Sequence, residues 1–598
     1  MIDVADPISA SQPHLLAPSL AARRLLVAAL NAASWLGLAF AMARLVGSGG
    51  WSWLQGLILL LFLAGLPWTL MGFWNSVIGF AISRLVRDPA GYTNPCLRGT
   101  PADSPIAART AICLAVRHED VGLVMARLEA MVENIGATPW ADRFSFHVLS
   151  DSSRPEMVAA EEQAFAALVS RHPRDGFLHY RRRPTNTGFK AGNLREFAER
   201  ACCELDYMIV LDADSLMSAA AILRLVRTMQ AHPRLGILQT LVVGQPSTSA
   251  FTRIFQFGMR HGMRMHTLGI AWWQGSSGPY WGHNAIVRLI PFVENCRLPT
   301  LPGPPPLGGP VLSHDQVEAA LMQAAGYEVR VIADEFESWE ENPPSLPDFI
   351  KRDLRWCQGN MQYLRLVARP GLKPMGRFQL ISAIMMYLGA PLWVLMLAAG
   401  LGLALLPPSI FASDLPTSLA FGLYFGMLAI GFAPRLLGVL DVLLRPRERA
   451  RYGGTALLLA GSLADALFSL LIGPLIMIAQ ARFEVGLAFG QRVTWEAQKR
   501  DGQRISVREA WHGLWPQMAF GGLFAAALAA VAPGVLPWAA PTLAACSLAI
   551  PFTCITAGKG LARWMVRYRL CAVPDEYDAS AVLRRLAALS PNSSNEPR

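Results

Sequence analysis

The sequence predicts a polytopic α-helical membrane protein that carries one large cytoplasmic α/β domain. Three observations predict it. Charged residues are only 16% and apolar residues 53% of 598 positions, with a mean hydropathy of +0.32, where soluble proteins hold about 25% charged residues. Apolar runs long enough to span a bilayer lie at both ends of the chain. Between them, strand-like runs alternate with helical patterns, the mark of a doubly wound, Rossmann-like parallel sheet.

Residues 1–24 lack the features of a signal peptide and are expected to form a cytoplasmic tail, with the first span retained as an anchor. Residues 25–87 read as two spans. Arg23-Arg24 precede the run Leu25–Val46, and the second run, Trp51 to Ile82, closes with Arg84 and Arg87. Arginines at both inner flanks place both ends of this hairpin in the cytoplasm. Residues 88–375 form the α/β domain, with strands expected at Thr110–Val116, Phe144–Leu149, Phe177–Tyr180 and Tyr207–Leu211. Further on, Phe251–Met265 sets a Phe/Met face against Arg253, Arg260 and Arg264. That pattern fits an amphipathic core helix or a helix lying on the membrane surface.

Residues 376–557 form the second membrane region. Leu380–Leu406 exits, the loop Pro407–Thr417 lacks Lys and Arg, and Ser418–Phe432 returns to the arginine-rich stretch Arg435–Arg451. Thr455–Gln480 then raises a parity conflict, because basic loops flank it on both sides. Asp465 and Pro474 within it favour an interfacial segment or a tight hairpin over a simple span. Spans near Leu514–Ala532 and Trp538–Ile555 lead to a basic cytoplasmic tail, residues 558–598. This reading holds six spans, or eight if the conflicted segment crosses twice. The net charge of +10 is explained by cations flanking the spans; no basic stretch is interleaved with stacking aromatics, which argues against nucleic acid. Nine scattered cysteines with no C-x-x-C pair argue against a zinc site or a disulfide framework.

The candidate chemistry sits where strands of the α/β domain end. The Tyr207–Leu211 run stops at Asp212 and Asp214, which alternation places on one side of the chain. Ligands bind at the carboxyl ends of strands in open α/β sheets, and two hard oxygen donors there suit a divalent cation shared with a diphosphate. A turn with an Asx cap would leave the same pair. Arg117-His-Glu119 follows the first strand and Asp151 the second. Thr187-Gly-Phe-Lys190-Ala-Gly-Asn193 leads a glycine-containing loop and a lysine into a helix, a site for an anion. Each has a plainer reading as a first-turn acid, a cap or a surface lysine. Ser313-His314-Asp315-Gln316 opens another helix, where Asp315 would also suit the dipole. Arg352-Asp-Leu-Arg355-Trp356 lies about 20 residues before the membrane returns. Its arginines suit a diphosphate and its tryptophan a sugar ring or the membrane interface.

Taken together, Asp151, Asp212-Ala-Asp214, His314-Asp315 and Arg352-x-x-Arg355-Trp356 resemble the motifs of the processive family-two inverting glycosyltransferases, the group of cellulose, chitin and hyaluronan synthases. Lys190-Ala-Gly-Asn193 matches as well, and Gly282-His283-Asn284 resembles the loop lining the acceptor site. Arg352 stands where glutamine is usual, and His314 where an acid is usual. With Trp356-Cys-Gln-Gly-Asn360 and Trp495–Asp501, these departures resemble the bacterial glucans biosynthesis glucosyltransferases that make osmoregulated periplasmic glucans. The resemblance implies a glycosyltransferase-A fold and an inner-membrane enzyme that polymerises glucose from UDP-glucose into a glucan backbone, β-1,2-linked, with Mg²⁺ or Mn²⁺.

It further implies that Glu119 and Asp151 hold the uracil and ribose, that Lys190, Asn193, Asp212, Arg352 and Arg355 hold the diphosphate side, and that Asp214 with Asp212 binds the metal. Asp315 would be the general base, with Trp356, His283 and His314 at the acceptor. Residues 482–512 resemble a gating loop. The partners implied are the growing glucan chain, the bilayer, acyl carrier protein and a periplasmic glucan-processing protein. A cellulose- or chitin-type synthase or a polyprenyl-phosphate sugar transferase is the nearer rival reading. A transporter with a regulatory soluble insert is the distant one.

Overall fold

The computed structural model describes residues 19–405, 416–493 and 505–590. Its strands are, in chain order, β1 (Thr110–Val116), β2 (Phe144–Ser150), β3 (Leu178–Arg182), β4 (Tyr207–Asp212), β5 (Leu216–Met217), β6 (Leu235–Gln239), β7 (Val243–Gly244), β8 (Ala285–Arg288), β9 (Glu328–Val331) and β10 (Ser338–Glu340). Seven form the main sheet in the order β3-β2-β1-β4-β8-β6-β9; the other three form a small sheet, β5-β10-β7.

β3, β2, β1 and β4 are mutually parallel, as the β-α alternation predicts. β8 enters antiparallel between β4 and β6, so the sheet is mixed rather than wholly parallel. The β4 core residues Met208, Ile209, Val210 and Leu211 are at most 1% exposed, each contributing about 1.5–3 kcal/mol of apolar burial. The registers Ala115↔Asp212 and Val116↔Ser150 bring the ends of three strands to one edge, so the residues after β1, β2 and β4 share it.

Six helices among the described residues are long and apolar enough to cross a membrane: Leu20–Val46, Trp53–Leu85, Pro374–Ala404, Thr417–Leu443, Thr455–Ala488 and Val507–Val531. A pair bent by 54°, Pro533–Ser547 and Ala549–Thr556, passes the same test together. The protein is thus a multi-pass membrane protein by the length and composition of its helices. Thr455–Ala488 is one unbroken helix of 34 residues with Pro474 inside it, which removes the tight hairpin and with it the count of eight. Both its ends rest on the α/β domain. Near its start, Phe257 packs on Gly461, and near its finish Phe483 and Leu487 pack with Cys357 and Tyr363.

The amphipathic stretch is the helix Ala250–Gln274, and its arginine face meets protein rather than lipid headgroups. Buried Arg253 pairs with Glu576 at 2.6 Å, and buried Arg260 pairs with Glu335 at 2.7 Å and Asp575 at 2.5 Å. Its other surface crosses the Trp53–Leu85 helix so closely that a side chain on Gly79 or Gly269 would strike the partner's backbone. Arg23 and Arg24 donate to the carbonyls of Trp272, Trp273 and Gln274, the orphan acceptors at this helix's C-terminus. The expected basic tail also has structure. Helix Ala581–Leu589 buries Val582, Leu583 and Leu586 in the α/β core, and Arg585 grips Glu133. The centre of the expected gating loop, residues 494–504, lies outside the described residues, as do residues 1–18, 406–415 and 591–598. Before that gap, the Val493 N–H donates to Gln358 at 2.9 Å.

Candidate active site

The turn after β4 is closed by Ser215, whose hydroxyl accepts from the Asp212 N–H at 3.0 Å. Leu211, Ala213 and Ser215 are buried while Asp212 and Asp214 are partly exposed, so alternation puts both carboxylates on the open side. Two buried groups hold this turn from behind. Arg127 donates to the Ala213 carbonyl at 3.1 Å and pairs with Glu341, and the Gln245 amide donates to the Asp214 carbonyl at 2.9 Å. Two carboxylates projecting from a braced turn form a hard-oxygen donor set that fits a divalent cation.

Lys190 lies one residue inside the helix Phe189–Ala201. Its ammonium pairs with Asp212 and donates to the Gly282 carbonyl at 2.8 Å. Gly282 has φ +82°, and a methyl placed on it would lie 3.3 Å from Asp315 Cβ and 3.8 Å from His314 Cε1. The loop can therefore approach the helix Asp315–Ala324 only because position 282 lacks a side chain. The Gln316 amide fixes the same contact by donating to the Tyr280 carbonyl at 3.1 Å. Asp212, Lys190, Gly282 and Asp315 thus form a continuous row. Burial pushes His314 toward its neutral form, but Glu318, 2.9 Å away, outweighs it and holds the imidazole pKa above its ordinary value.

The helix Leu346–Met361 reaches this row through Gly359, where any side chain would strike Ser313, and Tyr363 donates to the Ser313 carbonyl at 2.8 Å. Arg352 is buried and stacks 4.8 Å from the Trp356 ring centroid, while Trp356 is 47% exposed. A flat, open aromatic beside a held guanidinium is the form of a sugar platform. Arg355 is partly buried on the same helix.

The other expected residues fall nearby with partners the sequence did not suggest. Asp151 is buried in a two-pronged pair with Arg183, at 2.8 and 2.9 Å. Glu119 is partly buried in the loop after β1, beside His118 at φ +57°. Asn193 is fully buried; its amide donates to the Leu149 carbonyl at 3.1 Å and its oxygen accepts from Arg181. It supports the lysine helix from beneath. His283 lies 3.6 Å from Glu340 and 3.1 Å from Asn284 Oδ1. Burial pushes the Glu340 carboxyl up, opposed by His283 and Arg352 and reinforced by Asp214 and Asp212. Arg127, Arg183, Gln245 and Glu340 were missed. Only the run of acids at Glu340-Glu341 offered a signal.

Comparison with known proteins identifies the family. The glycosyl transferase family group 2 profile matches residues 207–433, from β4 into the membrane region. Glucans biosynthesis glucosyltransferase H of Xanthomonas campestris pv. campestris (strain 8004) is 34% identical over 580 residues, 92% of this chain and 88% of that protein. The chain belongs to the glucans biosynthesis glucosyltransferase H family. The Caulobacter vibrioides (strain NA1000 / CB15N) member is 36% identical over 586 residues, 94% of this chain and 85% of that protein. The Cereibacter sphaeroides member is 36% identical over 533 residues, 87% of each. Among solved structures, the Pyrobaculum calidifontis mannosyltransferase in complex with GDP-Man and Mn²⁺ aligns with a TM-score of 0.40 at 17% identity, over 65% of this chain and 98% of that one. The α/β domain is therefore the glycosyltransferase of a membrane-embedded family member.

Proposed function

We propose that this protein is an inner-membrane glucosyltransferase that moves glucose from UDP-glucose onto a growing glucan, building the β-1,2 backbone of osmoregulated periplasmic glucans. The observation that carries the reading is the row Asp212, Lys190, Gly282, Asp315. The row supports a site in which Lys190 with Asp212 takes the diphosphate side and Asp315 the acceptor proton.

In this reading Glu119 and Asp151 hold the uracil and ribose, and Lys190, Arg352 and Arg355 face the diphosphate. Asp212 and Asp214 would hold Mg²⁺ or Mn²⁺, which supplies positive charge to the departing UDP. The acceptor glucose stacks on Trp356 beside His283 and His314. Asp315 takes the proton of the acceptor hydroxyl as it attacks the anomeric carbon, and UDP leaves from the opposite face, so configuration inverts. The Thr455–Ala488 helix, with both ends on the catalytic domain, lies along the membrane interface. The other five long helices and the bent pair then make six crossings, which keep the catalytic domain and the docked C-terminal strap on the cytoplasmic side. The spans after residue 375 form the exit path for the glucan, with acyl carrier protein and a periplasmic glucan-processing protein as partners.

The test is UDP release from UDP-glucose by the purified protein, with and without EDTA. Metal-dependent release accompanied by a β-1,2 glucan is expected. Release that EDTA does not affect would contradict the metal assignment, and no release would contradict the reading.

A further inference from the structure

The reading above leaves open what selects the hydroxyl that attacks. A stacked sugar on an aromatic ring can rotate about the ring normal, because stacking has no preferred direction in that plane. A second, directional contact must fix which hydroxyl faces Asp315. The pair His283–Glu340 is built for that contact.

Glu340 ends β10, which is hydrogen-bonded between β5 and β7 in register Trp339↔Leu216 and Glu340↔Gly244. β5 begins two residues after Asp214, so the carboxylate of Glu340 is carried at a set offset from the paired aspartates. Gln245 closes the connection. Its N–H donates to the Glu340 carbonyl at 2.9 Å while its side chain donates to the Asp214 carbonyl at 2.9 Å. His283 is tied to the same strand from the other side. Its neighbour Asn284, fully buried at φ +50°, donates to Ser338 Oγ at 2.9 Å and to the Trp339 carbonyl at 3.1 Å. The φ values of Asn284 and of Glu337, also +50°, are strained for residues with side chains. Such strain persists where surrounding contacts over-determine a site.

The pair is rigid without being sealed. The His283 and Glu340 side chains keep 16% and 20% of their surface exposed. On one side His283 adjoins Gly282 and therefore Lys190 and Asp315. On the other, Arg352, which stacks on Trp356, donates to Asn342, two residues beyond Glu340, at 3.4 Å. A carboxylate in a fixed frame, linked through His283 to the Gly282–Asp315 contact and through Asn342 to Arg352 and Trp356, matches how proteins hold neighbouring hydroxyls of a pyranose.

We propose that Glu340 is a specificity-determining residue, oriented by His283, whose carboxylate accepts hydrogen bonds from the acceptor sugar and so sets which hydroxyl faces Asp315. The inference rests on the glucosyltransferase reading and deepens it. Glu340 decides the linkage, and Asp212, Asp214 and Lys190 decide the donor.

The test compares wild type with Glu340→Gln and His283→Ala in detergent, using UDP-glucose and a β-1,2 gluco-oligosaccharide as added acceptor. UDP affinity, measured by calorimetry, should be unchanged in both variants. In Glu340→Gln the kcat/KM for acceptor should fall about 10- to 100-fold, the worth of one hydrogen bond to a charged group. Its product should contain mixed linkages by NMR, with His283→Ala shifting in the same direction. Wild-type acceptor kinetics and a single linkage in Glu340→Gln would overturn the proposal. So would a loss of UDP affinity equal to the loss of transfer, because that marks a structural support of the donor site. A wild-type protein that transfers nothing from UDP-glucose would remove the glucosyltransferase reading and this inference with it. Linkage that ignores Glu340 would remove this inference alone.

Discussion

Asp315 stands at the first position of its helix with Gly282 pressed against it, while Asp212 is occupied by Lys190. In the proposed mechanism the two carboxylates have different tasks, and a single substitution separates them. Asp315→Asn keeps shape and hydrogen-bonding capacity but cannot accept a proton. It should lower kcat by about 10²- to 10⁴-fold, the usual worth of a positioned base, with UDP affinity unchanged in calorimetry. Turnover near the wild-type rate would exclude Asp315 as the base. The sites of Asp212, Asp214, Asp315 and Trp356 were legible because each sits at a sharp boundary: an apolar strand ending in acids, a helix start, an aromatic before a span. Their supports were not. Arg183 behind Asp151 and Arg127 behind Ala213 are buried arginines whose partners lie 32 and 86 positions away in sequence, and no local pattern announces such a pairing.

The Ala250–Gln274 helix shows the same limit at the level of an element. Its amphipathy was legible, but what covered the arginine face was not, because Asp575 and Glu576 lie over 300 positions downstream. The C-terminal strap therefore belongs to the catalytic domain's architecture. Arg260→Ala would leave Glu335 buried without its main partner, a change that costs about 3–5 kcal/mol for such pairs. The expected result is a lowered melting temperature together with faster proteolysis between residues 557 and 590; unchanged values in both would show that the strap carries no stability. The helix Leu346–Met361 offers a pH test. Burial raises the Asp353 carboxyl from 3.8 to about 6, with Gln480, Arg352 and Tyr387 offsetting part of the effect. A folded-state pKa above the unfolded value means the folded form binds the proton more tightly, so the favourable contribution is present below 3.8 and lost as pH rises to about 6. Asp353→Asn lacks that loss. Its melting temperature should gain on wild type as pH rises through this window, by on the order of 3 kcal/mol of stability at most, and stay level above it. A gap that does not change between pH 4 and pH 7 would contradict the burial argument. Elsewhere, β1 and β4 followed from near-continuous apolar runs, whereas β8 and β10, with four and three residues, are too short to carry a period of their own. For that reason the antiparallel insertion and the place of Glu340 emerged only from the folded chain.

For the whole molecule, the parity conflict at Thr455–Gln480 narrows once that segment is one unbroken helix. Unlike the other long helices among the described residues, Thr455–Ala488 meets the catalytic domain near both of its ends, through Gly461 against Phe257 and through Phe483 and Leu487 against Cys357 and Tyr363. In the proposed topology the helix lies along the interface, and Trp356 stands on a helix packed directly against it through Asp353 and Gln480, 2.7 Å apart. That packing supports the proposal that sugar transfer is coupled to export through the spans after residue 375. The most direct measurement places the purified protein in sealed vesicles and adds radiolabelled UDP-glucose outside. The account predicts metal-dependent UDP release outside and labelled glucan accumulating inside, protected from added glucanase. Label that stays in UDP-glucose, or glucan formed only on the nucleotide side, would contradict it.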